Sequence, residues 1–285
     1  MKESKARVWP FTYPIKILIF IIIHLLHFSF TKDGFDNVCP EMMVKERNFS
    51  GFDLIKIIKL EGSAVTFSGI RKVKGSNNMH IAYRLHPKKI QLRLPMSSLF
   101  PLGLPREFSL IATFRKRNFR KKPWHLLRME GLGGDTQFGI TVKSKKNQLE
   151  VYIVDNQREL QTVRFQDINI NDKKWHKIAI SVFKDSVKLM IDCRKMSSFP
   201  ISHPALIDAK GELIIAKYVN EKKGVPIELQ WMVINCDASW PELVKCDELI
   251  TSNRIREPQG AENENVCAMC SLSLYIYIHT TSTVS

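Results

Sequence analysis

Glycine and proline contribute only 13 residues each to this chain of 285 and follow no three-residue repeat, which excludes a triple helix in the sequence. No apolar run reaches the roughly 20 residues that a membrane-spanning helix needs. The longest, Ile17 to Phe30, is broken by His24, His27 and Ser29. Acidic residues are in deficit, with 28 Asp plus Glu against 43 Lys plus Arg and a formal net charge of +15. The field of such a chain favours anionic partners, and nucleic acid, acidic lipid and sulfated polysaccharide all fit the charge equally. Also missing are a nucleophile motif, carboxylates paired at useful spacing and an acidic rim cluster, so neither an enzyme nor a calcium site is expected. His80, His86, His125 and His203 are scattered without the i, i+4 spacing of a metal motif, so only folding could assemble a zinc site from them. Gly131, Gly133 and Gly134 are followed by no helical pattern and read as a turn rather than a phosphate loop.

What is present first fixes the compartment. Lys2, Lys5, Arg7 and Lys16 precede the apolar stretch, a pattern expected of a signal peptide over residues 1–30 followed by a short linker over 31–38. A retained anchor is the alternative reading. In a secreted chain the six cysteines, Cys39, Cys193, Cys236, Cys246, Cys267 and Cys270, are expected to be bridged rather than free. The sequon Asn48-Phe49-Ser50 marks Asn48 as a glycosylation candidate in the same compartment. A hydrophobic fraction of 44% is that of a globular chain.

From Phe108 onward the apolar residues alternate with a period of two. Leu110, Ala112 and Phe114 form one series, followed by Phe138, Ile140 and Val142, then Leu149, Val151 and Ile153. Trp175 leads into Ile178, Ile180 and Val182. Val187, Leu189, Ile191 and Cys193 come next, then Ile227, Leu229, Trp231 and Val233. Each series is the pattern of a half-buried strand with those residues inward. Turn-formers separate the series at 131–135, 145–147, 155–156 and 171–172. Short turns imply antiparallel pairing, and the predicted fold is an all-β, two-sheet antiparallel β-sandwich. Helix is confined to short pieces, near Met96 to Leu99 and Pro241 to Val244. The expected domain covers residues 39–250, and 251–285, which contains Cys267-Ala268-Met269-Cys270, is read as an unstructured tail.

Three segments carry a family resemblance. Asp172-Lys173-Lys174-Trp175-His176-Lys177-Ile178, followed by a strand ending in Ile191-Asp192-Cys193, resembles the laminin-G/thrombospondin-N-terminal signature. Leu102-Gly103-Leu104-Pro105-Arg106-Glu107-Phe108-Ser109 looks like the entry segment of the collagen-associated members. Val225 to Asp237, with Cys246, Cys39-Pro40 and Gly51-Phe52-Asp53-Leu54, is similar to the N-terminal noncollagenous domain of type IX collagen chains. The resemblance implies a jellyroll-like sandwich with Cys193 paired to Cys246 and Cys39 to Cys236, whereas the four cysteines alone allow three pairings. His176, prescribed by the signature at a strand start, is read as structural. A collagen chain would continue into triplets after Gly260, and here it does not.

The densest basic run is Arg115, Lys116, Arg117, Arg120, Lys121 and Lys122, closed by Pro123-Trp124. With Lys143, Lys145 and Lys146 it forms the candidate glycosaminoglycan-binding set, since guanidinium groups make forked, charge-assisted bonds to sulfate. Alternation puts Arg115 and Arg117 on the face opposite Phe114. Heparin- or heparan-sulfate-like chains and extracellular matrix proteins are the expected partners, with no nucleic acid, no membrane span after signal removal and no cofactor. Two other readings fit: a structural spacer whose charge aids solubility, and an intracellular nucleic-acid binder.

Overall fold

The computed structural model describes residues 39–44, 47–60, 69–87 and 92–250. The expected signal peptide over 1–30, the expected linker over 31–38 and the expected tail over 251–285, with Cys267 and Cys270, lie outside them. Fifteen strands are described: β1 (Glu41–Val44), β2 (Arg47–Asp53), β3 (Ile70–Lys74), β4 (Ile81–Leu85), β5 (Leu92–Pro95), β6 (Phe108–Lys116), β7 (Trp124–Glu130), β8 (Thr136–Lys143), β9 (Gln148–Val154), β10 (Leu160–Phe165), β11 (Trp175–Val182), β12 (Ser186–Ile191), β13 (Arg194–Pro200), β14 (Glu212–Tyr218) and β15 (Ile227–Asn235). They form two antiparallel sheets. The first runs β1-β2-β15-β6-β11-β12-β13, with β4 also paired to β15 and β3 to β4, and the second runs β10-β9-β8-β7-β14-β5. The fold is an all-β, two-sheet antiparallel sandwich with minor helix.

The core lies between the sheets, where the alternation places it. Phe108, Leu110 and Phe114 of β6 face Trp124, Phe138 and Val142 of the second sheet, with edge-on ring contacts for Phe108–Phe138 and Phe114–Trp124. Such pairs contribute beyond the area they bury. Among the described residues helix is limited to the single turns Leu54–Ile57, Met96–Leu99 and Asp247–Ile250 and the 3-10 turn Trp240–Leu243. Asp53 caps the first, its Oδ1 accepting from the backbone N–H of Ile55 (3.0 Å) and Lys56 (3.3 Å).

One expected alternation breaks. β15 carries a bulge at Gln230 against β6, where the register jumps from Leu229↔Phe114 to Trp231↔Thr113. The extra residue exchanges the two faces. Ile227 and Leu229 point inward, but beyond the bulge Met232 and Ile234 join the core. Trp231 and Val233, expected inward, lie on the outer face. There Trp231 packs edge-on against Trp240 and takes the Lys177 ammonium at 5.3 Å from its ring centroid. Residues 236–249 cover this part of the sheet. Ser109 Oγ donates to Asp237 O (2.7 Å), Lys177 Nζ to Lys245 O (2.7 Å) and to Glu248, and Cys193 is bonded to Cys246. Cys39 is bonded to Cys236, tying the first described residue to the end of β15.

A candidate polyanion-binding end

Antiparallel connection sorts the loops between two ends of the sandwich. β6 ends where β7 begins, β8 ends beside the start of β7 (Trp124↔Val142), β11 begins beside the end of β6 (Trp175↔Arg115), and β14 ends beside Trp124. The loops 117–123, 144–147, 166–174 and 219–226 therefore share one end. With the β12–β13 turn at 192–193, which lies at the same end, they hold ten Lys and Arg against four Asp and Glu. The loops 131–135, 155–159, 183–185 and 201–211 share the other end and hold three against five. The loops of one end are thus net cationic and those of the other net anionic, and charge gathered at one end focuses field where an even spread does not.

The predicted set divides by what each side chain does at this end. Lys121, Lys145 and Lys146 are exposed, with no ion pair among the described residues. Arg120 and Lys122 are exposed but share Glu221 at 3.0 and 2.7 Å, and Arg120 also lies 4.8 Å over the Tyr218 ring. Lys143 donates to Glu150 (2.7 Å), a carboxylate that is 2% exposed and also bound by Arg164 and Tyr152. Lys116 departs from the expectation. It shares the inward parity of Phe114 and is 1% exposed, its ammonium donating to the carbonyls of Asn118 (3.2 Å) and Arg120 (2.5 Å) and to Asn171 Oδ1. Burial, then the Arg120 charge, lower its pKa to about 8. It braces the hairpin from within and presents no charge to a surface ligand.

Arg115 and Arg117 point outward, into an arrangement not readable from the sequence. Directly opposed residues on five neighbouring strands form a row: Arg71 on β3, Arg84 on β4, Glu228 on β15, Arg115 on β6 and Trp175 on β11. Glu228 is fully buried. Arg84 Nε donates to its Oε1 (2.8 Å), Arg115 Nε to its Oε2 (2.8 Å), and Arg117 Nη1 approaches Oε1 at 3.2 Å. Burial pushes the Glu228 carboxyl up, but the bonds from Arg115 and Arg84 outweigh it and hold it below the ordinary carboxylate range. Arg115 is further stacked 4.9 Å over the Trp175 ring. The three guanidinium groups are fixed in place yet stay 34–41% exposed. One carboxylate among four arginines leaves the row cationic.

Sequence reasoning passed over Arg84, Glu228, Lys173, Lys174, Lys222 and Lys223 as site residues. The two lysine pairs stand in turns and were legible as charge. The Arg84–Glu228 bond joins residues 144 apart and has no local signal. His176 is buried, with Nδ1 2.9 Å from Asp192 and Nε2 2.8 Å from Asp172. Burial lowers its pKa, but the two carboxylates raise it further, so the net shift is upward. It locks the loop before β11 to the β12–β13 turn. Asn48 sits on β2, opposite Met43 of β1. Among the described residues no three His, Cys, Asp or Glu cluster as metal ligands, and no helix is long and apolar enough to cross a membrane.

Comparison with known proteins agrees with this architecture. Residues 125–230 match the family model described as the Laminin G domain, a noncatalytic family. The chain is 28% identical over 226 residues to the human collagen alpha-1(XVI) chain, covering 75% of this chain and 14% of that protein. It is 25% identical over 272 residues to human collagen alpha-1(XIX), covering 88% and 22%, and 26% identical over 206 residues to Xenopus laevis collagen alpha-1(XXI), covering 71% and 21%. The chain therefore spans less than a quarter of the length of these relatives. The likeness extends over collagen chains of several types and is not specific to type IX, the narrower expectation drawn from the motifs. The described chain is a disulfide-bonded β-sandwich that is laminin-G-like over residues 125–230 and distantly related to parts of several collagen chains.

Proposed function

We propose that this chain is a secreted extracellular-matrix module, with a signal peptide over residues 1–30, a binding domain over 39–250 and a tail over 251–285. In this reading it binds heparin- or heparan-sulfate-type glycosaminoglycans, with matrix proteins as further partners and Asn48 as a glycan site. The binding surface is the basic end, formed by Arg117, Arg120, Lys121, Lys122, Lys145, Lys146, Lys173 and Lys174. It continues onto the outer face of the first sheet through Arg115, Arg84 and Arg71. The observation that carries the reading is the asymmetry between the loops of the two ends, ten cations against four carboxylates, with Asp192 of the β12–β13 turn included, facing three against five. A solubilising charge has no need of such sorting, whereas a polyanion spanning several loops does. Affinity would come largely from counterion release, as for nucleic acid, and would fall steeply with salt.

Two triple variants of equal charge change test it. Lys121, Lys145 and Lys174→Gln together should move elution from immobilised heparin to markedly lower salt. Arg158, Lys184 and Lys210→Gln, all exposed and at the other end, should leave it nearly unchanged. Equal shifts for both would refute the localised site and favour the spacer reading.

A further inference from the structure

The second sheet carries a hollow that meets the basic end only at loop 219–226. It opens on the outer face of β7 and β14 with a volume of about 290 Å³, close to the lower bound of roughly 300 Å³ for small-molecule sites. His125, Arg128 and Glu130 of β7 line one side, Lys217 of β14 and Asn220 of the following loop the other. The lining is chemically uneven. Glu130 is held by Arg93 (2.9 Å) and lies 3.1 Å from Arg128 Nε, so its charge is matched. Lys217, half-exposed, has no ion pair among the described residues. His125 is 9% exposed. Its Nδ1 is paired with Thr141 Oγ1 at 2.8 Å, and the ring lines the hollow. The groups around it are Arg128 on its own strand, Lys217 opposite on β14 and Thr141 opposite on β8. Burial first, then the charges of Arg128 and Lys217, push the imidazole down to about 4. The hollow thus holds an unmatched ammonium and a neutral imidazole in a field that repels protons, and that field would attract an anion.

We propose that this hollow binds a single acidic saccharide unit, its carboxylate or sulfate group taken by Lys217 and His125 and its hydroxyls by Asn220 and Glu130. The assignment rests on the acidic-saccharide reading of the chain but concerns the outer face of β7 and β14, beyond the loop residues that form the basic end. A bare ion would leave most of the volume and the polar wall opposite Lys217 unused. An acyl chain would find only Ile214 and the Tyr218 ring as apolar lining among seven polar or charged residues. The hollow adjoins Glu221, which ties Arg120 and Lys122 of the basic hairpin to the same loop. A chain bound along the basic end could therefore place a terminal unit here.

The test is a pH titration of the His125 ring protons by NMR in the full chain, alone and with glucuronate, N-acetylglucosamine 6-sulfate, glucose or inorganic sulfate at equal concentration. An anion beside the ring favours its protonated form, and coupling is reciprocal. The acidic sugars should raise the titration midpoint by about one unit, which corresponds to roughly tenfold tighter binding to the protonated ring. Glucose should leave it unmoved, and inorganic sulfate should move it less than the sugars. Lys217→Gln should abolish the shift and Lys217→Arg should keep it. No shift with either acidic sugar, an equal shift with inorganic sulfate or glucose, or a shift surviving in Lys217→Gln would overturn the proposal. Elution of the same Lys217 variants from heparin separates this outcome from that of the basic end. A hollow that fails leaves the loss caused by the loop variants intact, and a basic end that fails leaves the His125 response intact.

Discussion

Glu228 is where the stability of the sandwich and the charge of its surface meet, and replacing it with Gln separates the two. The carboxylate is fully buried and takes bonds from Arg84 and Arg115, with Arg117 at 3.2 Å. A hydrogen bond to a charged group contributes about 1.5–3 kcal/mol. The amide of Gln keeps one acceptor oxygen, and the guanidinium groups, 34–41% exposed, can turn to water. The expected loss is therefore about 2 kcal/mol rather than the sum of three bonds. For a domain of this size that lowers the melting temperature by about 4–8 °C. Because the folded carboxyl titrates below its ordinary value, its contribution is present above the unfolded value near 4.5 and fades as the pH falls through the folded one. The difference between the two proteins should shrink in acid. Heparin elution should move the other way from stability, to equal or higher salt, since the substitution removes a negative charge from among arginines. The measurements are thermal melts from pH 3 to 7 and a heparin gradient at pH 7. An unchanged melting temperature, or elution at lower salt, would refute the claim that Glu228 anchors and partly neutralises the row.

Three further expectations follow from named groups. The His176 imidazole titrates above its ordinary value of 6.5, so its ion pairs stabilise fully below that value and are lost as the pH rises through the raised one. His176→Gln should accordingly destabilise more at pH 5 than at pH 9 by chemical denaturation, and a uniform loss would contradict the assignment. Lys116, lowered from 10.5 to about 8, binds protons less readily folded than unfolded, so its contribution to stability should rise between those values, a rise that Lys116→Met removes. The same variant should leave heparin elution nearly unchanged, because the ammonium it deletes is buried. Opening the bridge by Cys193→Ser and Cys246→Ser together, with a separation of 53 residues, should cost about 4 kcal/mol by urea unfolding. A loss below about 1 kcal/mol would mean that residues 236–249 hold to the first sheet without it.

The core of the sandwich was legible because its strands follow one period over three or four repeats, as Phe138, Ile140 and Val142 do. The bulge at Gln230 was not, since nothing local distinguishes Gln230 from an ordinary outward residue, and one inserted residue moved Trp231 and Val233 to the other face. Within the basic run, the parity that placed Arg115 and Arg117 outward also assigned Lys116 inward, and the density of charge obscured it. The sorting of loops between two ends depends on strand order and direction, so Lys121, Lys146 and Lys174 became neighbours of one end only through topology. The row through Arg71, Arg84, Glu228 and Arg115 depends on register across four strands, with β15 far in sequence from the other three. Lys217 and His125 are polar residues within largely apolar strands, a weak signal whose meaning appears only when β7 and β14 pair.

The most direct test of the central claim is a salt gradient over immobilised heparin with the oxidised domain from Cys39 to Leu249, run beside a cation exchanger of matched charge density. A shaped basic end predicts later elution from heparin than from the exchanger, with the excess lost in the Lys121, Lys145 and Lys174→Gln variant. Equal or earlier elution from heparin would contradict it, leaving the +15 charge as a diffuse property of the chain.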